Sequence, residues 1–316
     1  MLMIPTFEDI NQAAYRIQPY IHRTPILQSS TISAMVGADL FFKCENFQKV
    51  GAFKARGAFN AIMALPQEIA MRGVVAHSSG NHASAVALAA RTRGIPAHII
   101  MPDNSPAVKK ASTQRYGATV YFCGPTQSDR ETMAQEVLER TQAEFIHPYD
   151  NHFVIAGQGT AAKELLEDIA DLNYVLAPVS GGGLLSGTAL STKALSSAYT
   201  IGCEPAEADD AFRSLRDGMI YPAITPPRTI CDGLRTSLCE RTFTIIRENV
   251  HAIYTVEETE ILDAMRLVWD ILKIIIEPSC AVPLAVVLNK KDFFRGKRLG
   301  IILTGGNVDI TSVPFT

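Results

Sequence analysis

Between Val74 and His147 the chain alternates short apolar runs with longer amphipathic stretches, and this alternation limits the fold more than any other feature. Val74–Ser78 reads as a strand, and Ala83–Arg93 as a helix stopped by Gly94. Ala97–Met101 is the next strand, followed by a helix over Ala107–Tyr116 that Gly117 ends. Thr119–Cys123 is a strand, and Ser128-x-x-Glu131 has the spacing of a capping box for a helix running to about Arg140. Phe145–His147 is a last short strand. Strands of roughly five residues separated by helices of roughly 10–15 build βαβ units, and those units require a parallel sheet.

The second half follows the same logic. Tyr174–Val179 is a strand, then come a glycine-rich turn and a helix from about Leu185 to Leu195. Thr200–Cys203 and Leu299–Leu303 are strands, and Thr259–Ile275 is a long amphipathic helix with Ile261, Met265, Leu267, Val268 and Leu272 on or near one face. The reading is an α/β protein with two open, mostly parallel twisted sheets flanked by helices. Ligands are expected at the carboxyl ends of the strands. The expected division is a large unit, 1–70 plus 151–316, and a smaller unit, 71–150.

The 316 residues are 47% hydrophobic and 19% charged, enough apolar material for a sizeable core and too little charge for disorder. A net charge of −3 leaves no basic excess for nucleic acid or an anionic membrane surface. No apolar run approaches the roughly 20 residues of a membrane helix, and Met1 to Asp9 lacks the pattern of a secretory signal. The six cysteines are scattered without a Cys-x-x-Cys pair, as expected of reduced thiols in a cytoplasmic protein.

Four short stretches carry chemistry. Ser180-Gly181-Gly182-Gly183-Leu184 follows a strand and opens a helix. Glycines let a backbone approach a ligand, and a helix start offers free N–H groups, so the stretch suits a phosphate. It matches neither Gly-x-Gly-x-x-Gly nor a P-loop, and a plain tight turn is the bland alternative. In Gly51-Ala52-Phe53-Lys54-Ala55-Arg56-Gly57 a lysine sits at a helix start. Partial burial would lower its pKa and free the amine for Schiff-base chemistry, unless it is a surface lysine snorkelling to water. Ser78-Ser79-Gly80-Asn81-His82 gathers hydroxyls, an amide and N–H groups at a strand end, where helix capping would account for Ser79 or Asn81 equally well. Thr304-Gly305-Gly306-Asn307 puts a hydroxyl at another strand end or simply makes a turn.

In order and spacing these four stretches resemble the fold-type II (tryptophan synthase β-like) pyridoxal-phosphate enzymes, nearest the serine/threonine dehydratase and serine racemase branch that includes hydroxyaspartate dehydratases. The resemblance runs from Thr24-Pro25 to Asn307-Val308-Asp309. It implies pyridoxal 5'-phosphate in a cleft between two domains, with Lys54 as the lysine bonded to it. It implies Phe53 and Asn81 flanking the ring, Ser180, Gly181, Gly182, Gly183 and Leu184 as the phosphate loop, Thr304 facing the ring nitrogen, and Gly233 and Glu277 along its polar edge. Ser180 stands where the racemases usually have glycine, and Thr304 where near relatives usually have serine. Ser79 matches the acid/base on the opposite ring face in racemases. Ser78, Ser79, Asn81, His82 and Arg130 are the implied substrate contacts.

The implied reaction is loss of water and then ammonia from a β-hydroxy amino acid such as L-serine, L-threonine or 3-hydroxyaspartate, with serine racemisation permitted by Ser79. An acidic substrate needs a cation at its distal carboxylate, and Arg130 and Arg235 are the candidates. A neutral hydroxyl at the ring nitrogen favours elimination. Ser-Ser-Gly-Asn-His differs from the Thr-Ser-Gly-Asn-Thr typical of cysteine synthases, whose β-replacement chemistry is the alternative. A non-catalytic cofactor-binding protein is a further alternative, disfavoured by the presence of Lys54. Clustered carboxylates over Glu204–Asp210 suit a hard divalent cation such as Mg2+, Mn2+ or Ca2+, and the resemblance assigns Glu204, Asp210 and the Ala208 carbonyl as ligands. A homodimer is also implied.

Overall fold

The computed structural model describes residues 3–78, 80–103, 105, 107–309 and 313. Its strands are β1 (Ile26–Leu27), β2 (Asp39–Cys44), β3 (Val74–His77), β4 (Ala97–Pro102), β5 (Thr119–Cys123), β6 (Glu144–Phe145), β7 (Tyr174–Pro178), β8 (Tyr199–Pro205), β9 (Ala252–Val256) and β10 (Arg298–Leu303). They form a six-stranded sheet in the order β1-β2-β10-β7-β8-β9 and a four-stranded sheet in the order β5-β4-β3-β6. Every pairing is parallel except that of the two-residue edge strand β1 with β2. The α/β reading with two mostly parallel sheets therefore holds.

Side chains alternate across each strand, so neighbouring residues enter different cores. In the large sheet Leu176, Ile301 and Leu303 join Ile261, Met265 and Leu284 on one face. Ala177 and Ile302 join Leu185 and Ala189 on the other. Both faces being covered, the strands read as continuous apolar runs. In the small sheet Val74, Ala76, Ile99 and Met101 pack with Ala55, Ala58, Phe59 and Ile62 of the helix Lys54–Ala64. Val75 and Ile100 face Ala134 and Val137 of the helix Gln127–Thr141. The helix that begins at Lys54 thus lies against the small sheet.

Three local expectations change. The capping box is Thr126 with Asp129, not Ser128 with Glu131: Thr126 is extended (φ −80°, ψ 163°), while Ser128 is already inside the helix. The helix expected to reach Ile275 is α-helical only over Glu258–Leu267, widens to a π-turn at Val268–Leu272, and stops where Lys273 turns left-handed (φ 58°). The strand expected through His147 ends at Phe145, because the His147 imidazole accepts the N–H groups of the turn that follows.

Beneath the Lys54 helix lies a buried charge network. Arg56 Nε and Nη2 donate to Glu45 at 2.7 and 2.8 Å. Its Nη1 and Nη2 also donate to the two oxygens of Glu164 at 2.7 and 2.8 Å. Lys43 Nζ donates to Glu164 at 2.6 Å and to the Thr24 carbonyl at 2.7 Å. Burial disfavours the guanidinium charge, but Glu45 and Glu164 outweigh that cost and hold its pKa above the ordinary value. Removing Arg56 takes away the cation paired with Glu45 in the interior and leaves Glu164 only Lys43, which costs ~3–5 kcal/mol. Arg56→Ala is therefore expected to lower the unfolding free energy by about 3–5 kcal/mol in a urea titration; an unchanged midpoint would show that the network is not needed for stability.

Candidate active site

Lys54 is the first residue of its helix, and a close antiparallel clamp fixes the chain before it. Phe53 N donates to the Thr304 carbonyl at 2.9 Å, Ala52 bridges Gly305, and Gly306 N donates to the Gly51 carbonyl at 3.0 Å. The amine lies 5.2 Å from the Phe53 ring centroid and donates to the Pro148 carbonyl at 3.0 Å. Desolvation lowers its pKa to about 8, and the Glu277 carboxylate partly opposes the shift. The amine is thus poised as a nucleophile and base near neutral pH.

The glycine stretch opens the helix Gly183–Leu195, whose first-turn N–H groups have no partner within the helix. Gly182 is left-handed (φ +86°), a conformation that side chains resist. A Cβ on Gly181 would fall 2.3 Å from the Tyr149 ring, so only glycine fits beneath that tyrosine. Ser180 turns its hydroxyl aside: it accepts from Thr236 N at 3.0 Å and meets Thr236 Oγ1 at 2.9 Å. That hydroxyl is engaged in holding the neighbouring loop.

A polar row crosses from the small sheet to the large one. Asn81, at the start of the helix Asn81–Arg93, donates to Glu277 Oε1 at 2.9 Å. Asn307 Nδ2 donates to Asn81 Oδ1 at 2.9 Å and to the Val50 carbonyl at 2.7 Å. Glu277 N is anchored on the Gly305 carbonyl at 3.0 Å. Gly233 stands nearby, its N–H donating to Ser279 Oγ at 3.1 Å in the turn after Glu277. The Thr304 hydroxyl is buried beside the Cys280 thiol and makes no hydrogen bond to oxygen or nitrogen among the described residues. A hydroxyl whose neighbour is only a weak thiol partner retains capacity for a polar group.

The remaining expected residues divide. Ser78 lies at the end of β3 and caps Gly80 N at 3.2 Å. Ser79 lies outside the described residues. His82 is buried, with Nε2 2.8 Å from the Ile146 carbonyl, and burial followed by the Lys54 charge lowers its pKa to about 3. It is a neutral histidine in the wall of the site. Arg130 is half-buried, donates to the Thr126 carbonyl at 3.3 Å, and with burial helps depress the pKa of His77 at the end of β3. Arg235 is exposed and spends Nη2 on the Thr229 carbonyl at 2.7 Å. Sequence reasoning missed Tyr149, Pro148 and His147, which have no spacing of their own to mark them, and gave no role to Asn307 within the stretch Thr304–Asn307.

At the end of β8, Glu204 is buried and accepts Ala211 N at 3.0 Å and Phe212 N at 2.8 Å. Burial, then the neighbouring Asp210 charge, raises its pKa well above the carboxylate range. Burial raises Asp210 to about 7, and its Oδ2 is without a hydrogen-bond partner among the described residues. Ala208, also buried, closes the turn between them. Among the described residues no three His, Cys, Asp or Glu side chains gather into a metal cluster, so a cation here would need backbone or water oxygens as well.

A family profile for "Pyridoxal-phosphate dependent enzyme" matches residues 17–305. The chain is 48% identical over 315 residues to a beta-hydroxyaspartate dehydratase of Paracoccus denitrificans (strain Pd 1222), covering 99% of this chain and 100% of that one. It is 47% identical over 313 residues to a serine racemase of Dictyostelium discoideum, covering 98% and 96%. Among solved structures, a maize serine racemase superposes with a TM-score of 0.95 at 44% identity, covering 98% of this chain and 96% of that one.

The lowered pKa of Lys54 has a direct readout. Labelling by an amine-reactive probe, mapped by mass spectrometry on cofactor-free protein, should rise at Lys54 with a midpoint near pH 8, against about 10.4 for free lysine. Glu277→Gln removes a charge that favours the ammonium and should move the midpoint lower. A midpoint at the ordinary lysine value would contradict the desolvated environment.

Proposed function

The chain belongs to the pyridoxal-phosphate-dependent enzymes, and on that premise we propose that the site around Lys54 is where it removes water and ammonia from a β-hydroxy amino acid. The enzyme is of the ammonia-lyase and serine racemase type. The observation that carries the site assignment is the meeting of a desolvated lysine amine, a glycine-lined helix start and the buried Thr304 hydroxyl. Those features fit pyridoxal phosphate. When bound, the cofactor supplies a carbonyl that bonds amines and a ring that withdraws electrons.

Each residue then has a task. The N–H groups of Gly181, Gly182, Gly183 and Leu184 would hold the phosphate at the positive end of the helix. Phe53 would pack beside the ring. Asn81, oriented by Glu277 and Asn307, would hold the polar edge with Gly233, and Thr304 would offer the ring nitrogen a neutral partner. Lys54 would bond the cofactor at rest and would take the Cα proton once its amine is free. Loss of that proton and the β-hydroxyl removes one water, and hydrolysis adds one back, so the products would be a 2-oxo acid and ammonia. Ser78, Asn81 and His82 would line the substrate side, carried by the smaller unit 71–150, and Ser79 is assigned there by the resemblance. Arg130, beside His77, faces the distal carboxylate when the substrate is 3-hydroxyaspartate. Ser79 supplies the acid/base on the opposite face needed for racemisation.

The buried pair Glu204 and Asp210 also fits a divalent cation, with the Ala208 carbonyl as a third ligand. Burial raises the pKa of both carboxyls, and a bound cation would favour their charged forms. The working protein is proposed to be a cytoplasmic homodimer; among the described residues no helix is long and apolar enough to cross a membrane.

Lys54→Ala is expected to abolish keto-acid release from L-serine, L-threonine and 3-hydroxyaspartate while leaving the circular dichroism spectrum intact. Substantial turnover without added amine would defeat the assignment. Magnesium at about a hundred times its Kd should stabilise the fold by about 2.7 kcal/mol over chelator-treated protein. Asp210→Asn should abolish that gain, and melting curves that do not move between chelator and magnesium would remove the cation from the scheme.

A further inference from the structure

The turn His147-Pro148-Tyr149-Asp150 joins β6 to the helix His152–Asp168, and three contacts leave it for separate parts of the site. The Pro148 carbonyl accepts the Lys54 amine at 3.0 Å. The Tyr149 ring covers the glycine stretch: a Cβ on Gly181 would lie 2.3 Å from the ring, and one on Gly183 3.0 Å from the Tyr149 Cβ. Asp150 Oδ1 pairs with Arg241 Nη1 at 3.0 Å, reaching the helix Glu240–Asn249.

One side chain sets the shape of this turn. His147 Nδ1 accepts the Asp150 N–H at 2.8 Å and the Tyr149 N–H at 3.3 Å. Asn and Asp oxygens play the same part in Asx turns. The imidazole is packed edge-on against the Tyr149 ring, with centroids 4.6 Å apart and planes at 87°, and further contacts reach Phe145 at 5.9 Å and His77 at 6.1 Å. Accepting at Nδ1 needs a lone pair there, so the proton sits on Nε2 and the ring is neutral. An imidazolium would aim an N–H at two N–H donors. Burial first, then the His77 charge, keeps the ring from protonating until about pH 4.

We propose that His147 is a positioning residue for the cofactor chemistry, acting on the Lys54 amine through the Pro148 carbonyl and on the glycine stretch through the Tyr149 ring. The proposal rests on the reading of Lys54 and the glycine stretch given above. A single acceptor thereby registers the two ends that grip the cofactor, so the lysine and the phosphate cradle move together. Misplacement of a reacting group by about 1 Å costs on the order of a hundredfold in rate, so a small relaxation of this turn is felt at the chemistry.

The test compares His147→Leu, which keeps bulk and loses the acceptor, with His147→Asn, whose Oδ1 restores it. In the holoenzymes, His147→Leu is expected to weaken pyridoxal phosphate binding and to lower kcat, each by at least about tenfold, with KM within about threefold. His147→Asn is expected to stay within about threefold of wild type in all three. Wild-type binding and turnover in His147→Leu would overturn the proposal, as would a His147→Asn variant as impaired as His147→Leu. If His147→Leu does not fold, His147→Asn decides alone: retention supports the proposal and a loss of about tenfold overturns it. Only the ratio of variant to wild type reports on His147, whereas wild-type protein that fails to bind pyridoxal phosphate would overturn the reading of Lys54 itself.

Discussion

The charge network around Arg56 is the constraint on which the site depends. Arg56 is two residues beyond Lys54 on the same helix, and its guanidinium is gripped by Glu45 from the turn after β2 and by Glu164 from the helix His152–Asp168. Those elements bring the end of β2 in the large sheet and the long helix against the start of the Lys54 helix. A buried pair is costly to form and more costly to break. The helix start is therefore held in one place, and its first residue can lose solvent without losing position.

From that fixed point the site is assembled by backbone. The stretch Gly51–Phe53 pairs with Thr304–Gly306, and that segment in turn anchors Glu277. The polar row Asn307, Asn81 and Glu277 ties the small sheet to the large one at the place where the ring edge is proposed to lie. The amine, the glycine stretch and the polar row come from separate segments; the Pro148–Tyr149 turn touches the first two, and the Glu277 carboxylate acts on the amine from the third.

Electrostatics make the crevice reactive. Lys54 is surrounded by groups that stay neutral, since His82 and His147 are held far below the usual histidine range by burial, with the Lys54 charge contributing. Glu277 is the acidic group that steadies the ammonium. The balance sets the amine near pH 8, where it can exchange a proton without being permanently charged or permanently free.

Much of this was legible in the sequence because it is local. Alternating short apolar runs and amphipathic stretches force βαβ units, and glycines at Gly94 and Gly117 mark helix ends by their left-handed backbone. Gly182 announced itself by residue type between a strand and a helix, and Lys54 at a helix start. What the sequence leaves open is set by contacts between distant segments. Pro148, Tyr149 and His147 have ordinary identities and matter only because the fold lays their turn over Lys54 and Gly181, more than thirty residues away in the nearer case. Asn307 gained its role by meeting Val50 and Asn81, and Ser180 surrendered its hydroxyl to Thr236, a partner 56 residues away. The helix past Leu267 broke because Lys273 turns left-handed, which amphipathic periodicity cannot register. Local chemistry determines which elements form and which side chains are able to react; the packing of remote segments decides which of them meet, how dry they become and where their protons reside.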